Sequence, residues 1–325
     1  MRDERLSGKE KQAKDEKNMS TFTVALTTVG MMLLYAVPGF AFIKTGKIKT
    51  ESISAIAVVL LYLCAPFQIV DAMQRVSLSG EMTRQLGLTI VVSAAVMGGV
   101  LALVYLITCK KQEIPAVRIC TTATAFGNTG FMGIPLLEAL LPDYPEAVAF
   151  ASAFFIAMNL MMWTVGSAII TRDRKYVSLK KTILNPTAIA FIASMILYFG
   201  RIEIRGTLNT FVSMLSKMTT VLCMLILGMR LAAIPLKPML TSARQYIAVG
   251  VKLVVFPLIT LAVCSLIPMA ENHRLAMYII SCVPVGNVVL SFSEILGSGQ
   301  DTAANVVLLS TLLSVITIPL MLLIV

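Results

Sequence analysis

Two glycine-asparagine pairs sit inside otherwise apolar stretches, Gly127-Asn128 in "TAFGNTGFMGIP" and Gly286-Asn287 in "SCVPVGNVVLSFSEILG". An asparagine amide donates and accepts hydrogen bonds without net charge, so it suits a polar ligand held in apolar surroundings. Glycine loosens a helix and proline removes a backbone donor. Gly127, Gly130, Pro135, Pro284 and Gly286 would therefore interrupt helices around those amides. Charges within apolar stretches are few, costly and candidates for chemistry. Asp71 and Arg75, spaced i, i+4, form either a structural pair or a site where Asp71 titrates and couples a proton. Lys217 could face a cavity and attract an anion.

Composition sets the solvent in which these groups must work. Of 325 residues, 57% are hydrophobic and 14% charged, against roughly 25% charged in an ordinary soluble domain. Ten apolar runs follow one another, at approximately 21–43, 52–73, 85–108, 119–141, 147–170, 183–200, 208–229, 244–267, 275–297 and 302–324. Each is close to the ~20 residues that cross a hydrocarbon core. Backbone polar groups in lipid must be satisfied within the segment, and runs this long without strict alternation predict helices. The expected class is an all-α integral membrane protein with ten transmembrane helices.

The formal net charge of +10 could suggest a nucleic-acid partner, but Lys and Arg are scattered through short links rather than gathered on one face. They read as orientation signals, and no nucleic-acid partner is expected. Odd-numbered links carry fourteen basic residues and even-numbered ones five. This predicts odd links in the cytoplasm and both termini outside, in the cell (inner) membrane. Residues 1–18 hold six basic and five acidic residues, which conflicts with an outside N-terminus. Met19 opens "MSTFTVALTTVG", so the expectation is a native start there, with 1–18 a non-native extension or a disordered tail.

Catalytic machinery is not legible. The six cysteines show no C-x-x-C spacing, one histidine cannot build a multi-histidine site, and there is no H-E-x-x-H, G-x-S-x-G or G-x-x-x-x-G-K-[ST]. No metal, cofactor or enzymatic activity is expected. The twenty methionines read as helix packing rather than a soft-metal path. His273, beside Arg274, reads as solvated. Lys252 reads as snorkelling to an interface. Glu138 and Glu294 read as interfacial, with ion coupling the lesser alternative, and Asn159 as either helix glue or a substrate contact.

Asn128 and Asn287 are 159 residues apart, about half of the chain counted from Met19, and each pair lies near the middle of the fourth helix of five. Each is followed in its segment by a single acid, Glu138 and Glu294. Because five is odd, matched halves at 19–170 and 171–325 would be inverted copies within one integrated membrane domain. Half-helix N-termini at paired breaks offer N–H donors and partial positive charge to a carboxylate. Ordinary kinks are the alternative reading.

At these residues the chain resembles the auxin efflux carrier family of membrane transporters, in its bacterial, malate-permease-like branch. The likeness lies in "FGNTGFMGIPL", "LYLCAPFQIV" with Pro66, "LILGMRLA", "VKLVVFPL" and "LLSTLLSVITIPL", and spans the chain from Met19 onward. The resemblance implies a 5+5 inverted repeat with a scaffold part and a transport part. Its broken helices four and nine would cross at their unwound centres, as in sodium/bile-acid symporters, with Asn128 and Asn287 flanking the substrate. Plant members carry a carboxylate and a basic residue one turn apart near the end of helix two, where this sequence has Asp71 and Arg75. "VPVGN" departs from the denser proline and asparagine cluster of the plant helix nine.

The reading reached from the sequence is a secondary transporter of small organic anions or carboxylates, working by elevator-like alternating access. Proton or sodium coupling and a homodimer are compatible with it. A ligand-gated channel or membrane sensor is the alternative, with an intramembrane enzyme ranked below. The substrate residues expected are Gly127, Asn128, Gly130, Pro135, Pro284, Gly286 and Asn287.

Overall fold

The computed structural model describes residues 23–24, 26–28, 30–31, 34–77, 79–173, 184, 186–233 and 242–325. The tail 1–18 and the basic residues Arg174, Lys175, Lys180, Lys181 and Lys237 lie outside the described residues.

The described residues form helices and no strand. In chain order these are α1 (Leu34–Lys44), α2 (Ser52–Gln74), α3 (Gly80–Thr108), α4 (Pro115–Ala123), α5 (Ile134–Leu140), α6 (Glu146–Thr171), α7 (Pro186–Phe199), α8 (Gly206–Ala233), α9 (Ala243–Leu266), α10 (Glu271–Ser281), α11 (Asn287–Ile295) and α12 (Gln300–Leu322). Among the described residues, six are long and apolar enough to cross a membrane: α2, α3 with its short continuation to Lys111, α6, α8, α9 and α12. The apolar runs 119–141 and 275–297 are each built from two helices, α4 with α5 and α10 with α11.

Local chemistry explains several boundaries. The third helix starts five residues before the apolar run at 85 because Ser79 Oγ accepts from Met82 N–H at 3.0 Å, and Glu81 in the first turn pairs with Arg84 at 2.7 Å. Pro115 opens α4, where its missing N–H costs nothing.

Two sets of helices pack internally. The C-terminal half of α2 lies against α7 and α8, and α1 joins them through close backbone contact. A Cβ on Gly39 would fall 2.0 Å from the Leu225 carbonyl oxygen, and one on Gly228 only 1.8 Å from that of Ala36. Small residues at such contacts let membrane helices approach closely. The second set holds α3 against α6, α9 against α10, and α12 against α4, α9 and α11. In α12, 67% of the most apolar window is buried, against 33% in α2 and α3, so α12 is interior and those two keep broad apolar faces outward.

Candidate functional site

The two interrupted segments meet. The N–H of Asn128 donates to the carbonyl of Pro284 at 2.7 Å, and the N–H of Gly286 donates to that of Phe126 at 3.0 Å. Together these bonds make a short antiparallel bridge between Gly127 and Val285. Backbone that lipid could not solvate is thereby satisfied by the opposite break. A third tie comes from α12, where Ser310 Oγ accepts from Val285 N–H at 3.0 Å. Glycine is required for the approach: a Cβ on Gly286 would lie 2.5 Å from the Gly127 carbonyl oxygen.

Four turns of wider, π-type helix border this crossing: Leu60–Cys64 in α2, Thr129–Gly133 ahead of α5, Met162–Gly166 in α6 and Val251–Val255 in α9. Three are followed two residues later by proline, at Pro66, Pro135 and Pro257. A proline ring clashes with the carbonyl four residues before it and lacks an N–H, so the preceding turn widens. Pro135 is one of these three prolines. It sits in the first turn of α5, beyond the break, and shapes the turn after the crossing; Pro284 holds the break itself through its carbonyl.

A cavity of about 220 Å³ lies at the crossing, lined by Asn128, Asn287, Asn159, Tyr62 and Trp163 together with Gly127, Gly130 and Gly286. Asn128 is 6% exposed. Asn287 Nδ2 donates weakly to Cys223 Sγ at 3.8 Å, while its Oδ1 is buried without a hydrogen-bond partner. Asn159 Nδ2 donates to the Phe155 carbonyl at 2.9 Å, which leaves its oxygen for the cavity. Trp163 stands edge-on to Phe292, ring centres 4.5 Å apart, and walls one side. An amide-rich cleft with aromatic walls can bind a polar group without placing net charge in lipid.

A second, larger cavity of about 520 Å³ gathers the charges: Asp71, Arg75, Glu138 and Lys217, with Tyr144. Lys217 lines this cavity rather than the one at the asparagines. Arg75 donates to Asp71 at 2.6 Å and to Glu138 at 3.1 Å, which joins α2 to α5. Burial, and then the Glu146 charge, push the Tyr144 phenol up to about 12. It stays a neutral donor at physiological pH. On the other half of the chain, Arg230 at the end of α8 donates to Glu294 in α11 at 3.0 Å. The partners are 63 and 64 residues apart in the two pairs. Each pair ties the first helix set to a half-helix of the second.

Two readings of single residues are overturned. Lys252 does not snorkel: it is 0% exposed, and its Nζ donates to the Ser281 carbonyl at 2.8 Å. His273 is not solvated; it is fully buried, its ring stacked on Phe150 at 4.0 Å with Nε2 2.7 Å from Thr89 Oγ1. Packing of α10 against α6 explains the burial.

A family model described as membrane transport protein matches residues 23–322. The chain belongs to this auxin efflux carrier family. As a family member it is a multi-pass membrane transporter, consistent with its apolar helices. No curated protein sequence matches it. The match encloses both breaks, both cavities and both ion pairs, so every feature above lies in the part the auxin efflux carrier family shares.

Proposed function

We propose that this family member is a secondary transporter of small organic anions, carboxylates in particular, and that it works by elevator-like alternating access. The observation that carries this reading is the main-chain bridge between Phe126–Asn128 and Pro284–Gly286, since paired broken helices near mid-membrane are the hallmark of a transporter binding site. The α11 N-terminus begins at Asn287, beside the crossing, and its first N–H groups have no partners within the helix. Such an end favours a carboxylate.

In this reading the ten apolar segments are ten spans, arranged as a 5+5 inverted repeat with both termini outside. The matched ion pairs support it. Arg75 and Arg230 are 155 residues apart, Glu138 and Glu294 156, and the asparagines 159, so three features recur at closely similar offsets. The helix set of α1, α2, α7 and α8 is the scaffold; the other set carries substrate. Both cavities lie between the sets, where one set sliding past the other would alter access. Asp71 is the proton-coupling carboxylate. Protonation would release Arg75 from Asp71 on its own helix to Glu138 alone and tighten the clasp between the sets.

Counterflow in proteoliposomes tests the reading. Vesicles preloaded with an unlabelled carboxylate should accumulate the labelled one transiently above equilibrium. Carboxylate flux without counterflow would mark a channel, and no flux a sensor. Asp71→Asn is expected to leave uptake that no longer varies with pH; an unaltered pH profile in the variant would assign Asp71 a structural part only.

A further inference from the structure

Among the described residues, Lys252 is the one fully buried charge that the proposed cycle does not use. Its surroundings are unusual for an ammonium. It lies in the π turn of α9, completely buried, and among the described residues no carboxylate lies within ion-pair distance. Nζ meets the carbonyl of Ser281, the last residue of α10, at 2.8 Å, and stands 4.4 Å from the centre of the Phe256 ring. Gly127 of the crossing lies against the lysine as well, since a Cβ there would sit 3.3 Å from Nζ.

Burying an unpaired ammonium is costly, so the site must offer compensation. A helix C-terminus carries partial negative charge on carbonyls that lack intrahelical partners, and α10 ends at Ser281. Carbonyl ends of broken helices are also where transporters of this architecture coordinate sodium. An aromatic face adds a further favourable contact for a cation.

We propose that the Lys252 ammonium is a resident cation of the crossover, occupying the place that a sodium ion would otherwise fill at the α10 carbonyl end. This inference rests on the transporter reading and narrows it: carboxylate movement by this chain needs no sodium at the crossing. The ammonium is tethered to α9, so its charge stays with the transport set throughout the cycle.

The test is substrate-free. Thermal unfolding of the purified, detergent-solubilised full chain is followed in sodium chloride and in choline chloride at equal ionic strength. Wild type is expected to give superimposable midpoints. Lys252→Ser, which vacates the ammonium's place, is expected to gain a saturable rise of several degrees in sodium over choline. A sodium-specific rise in wild type would overturn the proposal, as would a folded Lys252→Ser that is indifferent to sodium. Should the serine variant not fold, Lys252→Ala takes its place, with the same sodium-specific rise expected and a folded, sodium-indifferent alanine variant overturning the proposal. Neither arm uses a transported anion, so a failure of carboxylate counterflow is a separate result.

Discussion

Asn128→Ala and Asn287→Ala are each expected to abolish carboxylate transport while leaving the crossing intact. The separation is possible because the bridge uses main-chain groups, the Asn128 N–H among them, and alanine keeps these. What alanine removes is the amide in the cavity. Asn287 Oδ1 is already buried without a partner, so its loss costs the unliganded protein little. A lost hydrogen bond to a charged ligand is worth about 1.5–3 kcal/mol, roughly ten- to hundredfold in affinity. Losing both amides should compound this. Initial uptake rates in proteoliposomes, with size-exclusion profiles as the folding control, check the prediction; unchanged uptake in both variants would remove the asparagines from the site.

Gly286→Val has the opposite signature, loss of folded protein together with activity. Its Cβ would stand 2.5 Å from the Gly127 carbonyl oxygen and 2.8 Å from the carbonyl carbon, both backbone atoms held by the bridge. No side chain can swing aside to make room. Overpacking typically costs about 1–3 kcal/mol, and rigid backbone on both sides places this case at the upper end or beyond. The bridge should open rather than tolerate the branch. Gly99 in α3 is the control, because nothing lies within 4 Å of a Cβ built there. Gly99→Ala should be neutral or mildly stabilising, as expected where alanine replaces a helical glycine. Unfolding midpoints of the two variants against wild type measure the contrast; equal midpoints would mean that the close approach carries no weight.

Much of this arrangement could be read from residue types. The breaks at Gly127-Asn128 and Gly286-Asn287 announce themselves, because glycine, proline and asparagine gain nothing in a plain lipid-facing helix. Helix length was also legible, with α7 and α9 close to the apolar runs at 183–200 and 244–267. Spatial partners were not. Arg75 meets Glu138 across 63 residues of sequence, and no local spacing rule links them. Lys252 and His273 were misread for a related reason. In an apolar chain, hydrophobic periodicity hardly separates a lipid-facing side from a protein-facing one, so a lone polar residue near a helix end looks interfacial. The π turns did carry a signal that sequence reasoning passed over, in Pro66, Pro135 and Pro257, each two residues beyond a widened turn.

The two cavities differ in chemistry. Amides and aromatic walls surround the crossing, whereas Asp71, Arg75, Glu138 and Lys217 gather about the other opening. Under the proposed function, neutral donors would bind the anion without a net charge to bury, and the charged groups would stay apart from it.

Ligand-dependent thermal stabilisation tests the central claim most directly, since a ligand that binds only the folded form raises its unfolding midpoint. Purified wild type should be stabilised in a saturable manner by at least one small mono- or dicarboxylate, and the Asn128→Ala, Asn287→Ala double variant should fold yet show no such rise. An equal rise in the double variant would place the anion elsewhere than at the crossing and contradict the account.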